Sequence, residues 1–160
     1  MTDDPLRPIR KVLVVGLPVS EAFAAFTDHM GVWWPLRTHS LEHDRARECI
    51  LECKEGGALF ETADDAPPQT WARVTNWTPP KRLALSWAPG DLVDNPTEVT
   101  ILFDPLGERR SRIELIHAGW RSAQLDRYVV YQRGWDAVLV RGFQVYALEL
   151  GKAGQIGQAG

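Results

Sequence analysis

His117 is the side chain of this 160-residue sequence that is best placed for acid–base chemistry. It alternates with Ile113 and Leu115 in a run typical of a β-strand, so all three side chains are expected on one buried face. An imidazole there can orient a ligand carbonyl or exchange a proton, because its pKa lies near neutrality. The alternative is a buried histidine whose ring nitrogens are satisfied by protein partners. His117 is therefore the catalytic candidate if the protein is an enzyme, and a ligand-orienting residue if it is not.

A second group of ionisable residues, His39, Glu42 and His43, has the i, i+4 histidine spacing of half a zinc site. The order of the residues differs from that of a zinc protease and the segment is typical of a loop, so we predict no metal site. His39 follows the turn at Trp33-Trp34-Pro35 and can still reach the mouth of a cavity. The glycine-rich nucleotide and phosphate motifs and the GxSxG hydrolase motif do not occur, so we expect no cofactor.

Bulky aromatic rings are the third chemical feature, since the chain holds seven Trp, five Phe and three Tyr. Such rings either fill a core or line a cavity, and composition alone does not decide between the two. Strand parity and helical spacing place several of them on inward faces around His117. The predicted ligand-binding set is Trp34, His39, Trp71, Trp87, His117, Tyr131 and Trp135.

Charge and segment composition exclude several classes of partner. The formal net charge is -3, with 18 basic and 21 acidic residues, which argues against nucleic acid as the main partner. The sequence contains neither a signal peptide nor a run of 18 apolar residues, so we expect no membrane span. Cys49 and Cys53 are four residues apart in a predicted strand, too far for a disulfide, which fits a reducing compartment. These features predict a cytoplasmic protein.

The elements that position these residues follow from the period of the apolar residues. Residues 9–15 form a first strand, and 18–27 and 28–34 form two short helices. Six strands follow, joined by short turns that favour antiparallel pairing: 47–54, 58–62, 69–78, 81–87, 97–103 and 110–120. Apolar residues at steps of three and four then predict a long helix over 124–150, which can cover the inner face of the sheet. We predict one domain over 1–150 and a flexible tail over 151–160.

These segments, in this order, resemble the SRPBCC or START-like superfamily, and within it the bacterial branch named after the activator of the heat-shock protein 90 ATPase. The resemblance spans about residues 9–150 and rests on FTDHMGVWWP at 26–35, ECKEGGALFE at 52–61, WARVTNWTPP at 71–80, LALSW at 83–87, TEVTILF at 97–103, IELIHAGW at 113–120 and GWDAVL at 134–139. It implies an α+β helix-grip fold, in which a curved antiparallel seven-stranded sheet wraps around a long C-terminal helix. In most members the shared property is a cavity between sheet and helix that holds an apolar or amphipathic molecule.

Three functions are compatible with these residues. We expect first a non-enzymatic binding protein whose cavity takes a small apolar or amphipathic ligand. The second hypothesis is a cyclase-, dehydratase- or hydrolase-like enzyme using His117. The third is interaction with a protein partner, which predicts an exposed apolar patch. A chaperone partner is not favoured, because the eukaryotic co-chaperone carries this fold as one part of a longer protein, and homodimerisation stays open.

Overall fold

A computed structural model describes residues 3–159 and shows one antiparallel sheet of seven strands in the order β1-β7-β6-β5-β4-β3-β2. The strands are β1 Ile9–Val15, β2 Ala46–Leu51, β3 Ala58–Ala63, β4 Ala66–Thr78, β5 Arg82–Trp87, β6 Thr97–Gly107 and β7 Arg110–Ala118. Strands β2 to β7 pair with their sequence neighbours, and β1 forms one edge of the sheet by pairing with β7. The predicted α+β helix-grip fold is confirmed.

Two short helices, α1 (Val19–Asp28) and α2 (Met30–Trp33), connect the two edge strands. After β7 the chain forms a terminal helix in three parts: α3 (Leu125–Asp136), a π-helical segment (Ala137–Gln144) and α4 (Val145–Ala159). No helix within residues 3–159 has the length and apolar character that crossing a membrane requires.

The terminal helix begins where the sequence predicts but continues beyond residue 150 to Ala159. The flexibility predicted for 151–160 and the single-domain boundary at 150 stay predictions. Residues 1, 2 and 160, which those ranges include, lie outside the described residues. Strand β6 also runs past its predicted end at residue 103, because Asp104 and Pro105 still pair with Arg112 and Ser111 of β7.

The curved sheet contains several irregularities in its strand pairing. Register shifts interrupt the β2–β3, β3–β4 and β4–β5 pairings, and such irregularities bend a strand and increase its twist. The concave face receives the terminal helix. Buried alternation on β6 and β7 follows the sequence prediction, with inward side chains at most 2% exposed: Val99, Ile101, Phe103, Ile113, Leu115 and His117.

Phenylalanine fills one end of the space between the sheet and the terminal helix. Phe26 of α1 packs edge-on against Phe103 of β6 and Phe143 of the π-helical segment, with ring centroids 5.6 Å and 5.0 Å away. Trp33 at the end of α2 joins this cluster, 4.9 Å from Phe26. At the other end most of the aromatic residues are tryptophans, and a cavity lies between the sheet and the terminal helix there.

Candidate functional site

A cavity of about 400 Å³ lies between the sheet, the terminal helix and the loop that follows α2. Its aromatic wall consists of Trp71 of β4, Trp87 of β5, Tyr131 and Trp135 of α3, and Trp34 directly after α2. The tryptophan rings also contact one another, with centroids 5.1 to 6.4 Å apart. The tryptophans therefore belong to the core and also line the cavity, two roles that the sequence presents as alternatives.

The remaining lining is mixed, with Leu41, Pro89, Val130 and Val138 as its apolar members. Its polar part, the polar wall, is formed by Thr38, His39, Ser40 and His43 of the loop after α2, together with Arg127 of α3. An apolar wall facing a small number of polar groups is typical of a site for an amphipathic small molecule.

The indole N–H groups of the four wall tryptophans all donate hydrogen bonds to the protein. Trp34 donates to the His39 carbonyl oxygen (2.7 Å), Trp71 to Glu61 Oε1 (2.7 Å), Trp87 to Tyr131 Oη (3.0 Å) and Trp135 to His117 Nδ1 (2.9 Å). The rings are held in place by these bonds and at most 8% exposed. The aromatic wall therefore offers ring carbon to the cavity, while hydrogen bonding is left to the polar wall.

His117 lies one layer behind the cavity wall. Its Nδ1 accepts the Trp135 indole proton, so Nε2 carries the hydrogen and donates to Thr97 Oγ1 (2.6 Å), whose hydroxyl donates to the Trp87 carbonyl oxygen (3.4 Å). Burial lowers the pKa of His117 from 6.5 to about 3, because the charged imidazolium cannot be hydrated there. A neutral ring with both nitrogens bonded is the buried histidine that the sequence offered as the alternative.

The His117 side chain is not among the residues that line the cavity, and its contact with a ligand stays a prediction. The ring is fully buried and packs against Trp120, 4.6 Å between centroids. Alternation along a strand predicts which face a side chain takes, but not whether another side chain covers it. Here Trp135, from the terminal helix, lies between His117 and the cavity.

His39 is the histidine that the loop presents to the cavity. Its Nδ1 lies 2.7 Å from the hydroxyl oxygen of Thr38, and its carbonyl oxygen accepts the Trp34 indole proton. The ring faces Gly134 of α3, where a Cβ atom would lie 3.8 Å from His39 Cδ2 and 3.9 Å from Nε2. Desolvation, followed by the nearby charges of Arg141 and His43, lowers the pKa of His39 below 6.5.

Glu61 holds the loop of the site in place, and it is not among the residues that the sequence predicts for the site. Its carboxylate is fully buried and accepts hydrogen bonds from Trp71 Nε1 (2.7 Å) and from the backbone N–H groups of Leu41 (2.6 Å) and Glu42 (3.2 Å). It thereby fastens the loop after α2 to the sheet. The signal for its burial was parity, because Glu61 lies two residues after the fully buried Leu59 in β3.

Six of the seven predicted binding residues line one cavity: Trp34, His39, Trp71, Trp87, Tyr131 and Trp135. That they bind a ligand stays a prediction. His39 and His43 both reach the cavity, but within residues 3–159 no cluster of three or more His, Cys, Asp or Glu side chains is arranged to hold a metal ion. Arg127 and Gly134 were not predicted, although Gly134 lies in the same helical stripe as Tyr131 and Trp135.

Comparison with protein families matches residues 17–147 to the family described as activator of Hsp90 ATPase homolog 1-like protein. The chain belongs to this family. The match covers both short helices, all strands after β1 and most of the terminal helix, so the resemblance seen in the sequence is confirmed. The comparison with curated proteins returned no match.

Solved structures give the same fold. An anthrahydroquino-γ-pyrone synthase, Txn09, complexed with a compound designated SUM, is 30% identical over 74% of this chain and 80% of its own, with a TM-score of 0.53. The Aha1 dimer from Colwellia psychrerythraea is 16% identical over 92% of this chain and 99% of its own, with a TM-score of 0.65. PFC0360w, an HSP90 activator from Plasmodium falciparum, is 19% identical over 71% and 74%, with a TM-score of 0.50. At these identities the last two show the fold alone.

Proposed function

We propose that this protein binds a small, flat aromatic or amphipathic molecule in the tryptophan-lined cavity. The observation that carries the proposal is the set of four indoles around one cavity, each with its N–H engaged by the protein. The volume of about 400 Å³ lies within the range of roughly 300–1,000 Å³ that small-molecule sites occupy.

Ring surface recognises a ligand mainly by burial and stacking. Burying apolar ligand surface contributes about 25 cal/mol per Å², and each well-oriented aromatic pair adds about 0.5–1.5 kcal/mol. A fused or conjugated aromatic ligand gains both terms against walls held in fixed orientations. Its polar end would meet His39 and the other groups of the polar wall.

Similarity to Txn09 supports a ligand of this shape. That protein is described as a synthase of an anthrahydroquino-γ-pyrone, which is a fused aromatic ring system with an oxygen-containing ring. At 30% identity over most of both chains, a related ligand class is a reasonable proposal for this chain. Homodimerisation, a chaperone partner and a cytoplasmic location stay predictions.

Intrinsic tryptophan fluorescence tests the proposal, because four of the seven Trp residues line the cavity. The probes are 1-naphthol, flavone, anthraquinone-2-sulfonate and decanoate, each titrated with a thermal-shift measurement in parallel. We expect saturable quenching and a raised melting temperature with at least one aromatic probe. No saturable response to any of the four would contradict the proposal.

A matched pair of leucine variants separates cavity binding from surface binding. Gly134→Leu directs its side chain into the cavity, whereas Gln132→Leu adds the same side chain to the exposed face of α3. We expect Gly134→Leu to weaken probe binding at least tenfold and Gln132→Leu to leave it unchanged. Equal binding by both variants would place the probe outside the cavity.

A further inference from the structure

His43 has a backbone conformation that few residue types adopt. Its φ of 50° lies in the left-handed region, where the Cβ atom crowds the backbone and glycine fits without strain. Asp65 is a second residue with a side chain and a positive φ, at 56°, but it lies in the short turn between β3 and β4, where aspartate is common. His43 lies instead at the end of the loop after α2 and lines the cavity. A turn between strands therefore does not account for its conformation.

The conformation of His43 is held in place by its neighbours. Its backbone N–H donates to Ser40 Oγ (2.9 Å). The preceding residue, Glu42, is fixed at its backbone N–H by the buried Glu61 carboxylate (3.2 Å) and at its side chain by Gln69 Nε2 (2.8 Å). Backbone strain persists only where the surrounding structure over-determines it, and strained residues cluster at functional sites. The strain at His43 therefore points to a role of this residue in the cavity.

The imidazole of His43 complements what the aromatic wall lacks. The four wall indoles all donate their N–H groups to the protein, so the tryptophans present ring surface to a ligand. His43 is exposed in the unliganded protein, so its ring adds little to the packing of the fold. A neutral imidazole has one nitrogen that donates and one that accepts. A hydroxyl group also does both, so it can pair with the ring of His43 in either tautomer.

We propose that His43 is a specificity-determining residue, whose imidazole hydrogen-bonds a hydroxyl group on the aromatic ligand of the cavity. The left-handed backbone is the feature that directs this side chain to the cavity. Because the ligand must occupy the cavity, this inference rests on the proposed function. It adds the class of ligand, which is a hydroxylated aromatic molecule.

1-Naphthol and 1-methylnaphthalene test this assignment, because they have the same shape and differ in a hydroxyl against a methyl group. Tryptophan quenching gives the dissociation constant of each probe, and the ratio of the two constants gives the preference for the hydroxyl. Damage to the cavity weakens both probes alike and leaves the ratio unchanged, whereas loss of a hydrogen bond to the hydroxyl changes it. The ratio is therefore a readout that a merely structural role of His43 would not move.

Two substitutions of His43 separate the side chain from the backbone. His43→Gly and His43→Ala both remove the imidazole, so both should lower the preference for 1-naphthol by about threefold or more, the range of one hydrogen bond. Only glycine relieves the left-handed conformation, so His43→Gly should have a melting temperature about 2–4 °C higher than His43→Ala. Asp65→Gly is the matched control, because it relieves a positive φ in an exposed turn outside the cavity and should leave the preference unchanged.

The outcomes separate this inference from the proposed function. An unchanged preference in both His43 variants would overturn the inference, and binding of either probe would leave the proposed function intact. An equal loss of preference in Asp65→Gly would also overturn it, since the effect would then not come from the cavity. Equal melting temperatures of His43→Gly and His43→Ala would refute the strain assigned to His43. If other aromatic probes bind and 1-naphthol does not, the hydroxylated class is wrong, and failure of every probe would remove both proposals.

Discussion

The buried imidazole of His117 fixes two of the four wall tryptophans. Its Nδ1 holds the Trp135 indole, and through Thr97 it reaches the backbone carbonyl of Trp87. Removing it would leave the Trp135 indole N–H buried without a partner, which costs about 1–3 kcal/mol, and would leave the Thr97 hydroxyl with only its bond to the Trp87 carbonyl oxygen. His117 is thus a positioning residue for the cavity wall.

Replacement of His117 by phenylalanine should lower the free energy of unfolding by about 2–5 kcal/mol at neutral pH. The loss should shrink in acid. With the folded pKa at about 3 and the unfolded value at 6.5, only the unfolded wild-type chain takes up this proton between those values. The stability of the wild type therefore falls with decreasing pH in that window, by up to about 1.4 kcal/mol per unit from this group.

Urea unfolding of both proteins between about pH 7 and about pH 4 measures this difference, since carboxylate titrations common to both proteins cancel. The gap between wild type and variant should narrow as the pH falls. A gap that stays constant across the range would mean that His117 is not held neutral by burial.

At the scale of elements, the loop between α2 and β2 decides the shape of the cavity mouth. It carries no regular structure before residue 43, and its position depends on the buried Glu61 carboxylate of β3. A buried carboxylate that accepts three N–H hydrogen bonds contributes more to stability than an exposed ion pair does, because no water competes for the donors.

Glu61→Gln should release this loop, because the amide presents a donor where the carboxylate accepts. We expect the free energy of unfolding to fall by about 2–3 kcal/mol and the amide hydrogens of Leu41 and Glu42 to exchange faster. Hydrogen exchange measured by NMR reports both amides. Glu48→Gln, at an exposed position of β2, is the matched control and should change neither the free energy of unfolding nor the exchange rates. Unchanged exchange in Glu61→Gln would contradict the role of Glu61 in holding the loop.

Substitution by alanine should have opposite effects on the stability of the protein at two glycines of the terminal helix. At Gly134 a Cβ meets nothing closer than 3.8 Å, so Gly134→Ala should stabilise the unliganded protein by about 0.5–1 kcal/mol through helix propensity. At Gly142 a Cβ would lie 2.9 Å from the Trp33 carbonyl oxygen, so Gly142→Ala should destabilise it. Thermal unfolding of both variants checks the pair, and destabilisation by Gly134→Ala would contradict the unstrained contact expected between the new Cβ and His39.

The regular elements could be predicted from sequence because their apolar periods are local. Alternation at Val99, Ile101 and Phe103, and steps of three and four after residue 124, identify the strands and the terminal helix. The loop at His39 could not be placed in this way, since its position is set by Glu61, some 20 residues away in sequence. The position of His117 behind the cavity wall likewise depends on how the terminal helix packs on the sheet. The alternation of residues along a strand carries no information about that packing.

At the scale of the whole molecule, one helix and one sheet enclose two different interiors. At the end near α1, Phe26 packs edge-on against Phe103 and Phe143. At the other end the four tryptophans pack against one another, mostly in tilted arrangements, and the cavity lies beside them. The same sheet and helix therefore enclose a phenylalanine-rich core at one end and the tryptophan-lined cavity at the other.

A crystal structure of the protein with the aromatic probe that gives the strongest quenching tests the binding proposal most directly. We predict density for a flat ligand against the rings of Trp34, Trp87 and Trp135, with its polar end toward His39. An empty cavity, with the probe bound instead in a second pocket, which is lined by Phe23 of α1 and by Trp77, Pro79 and Pro80, would contradict the account.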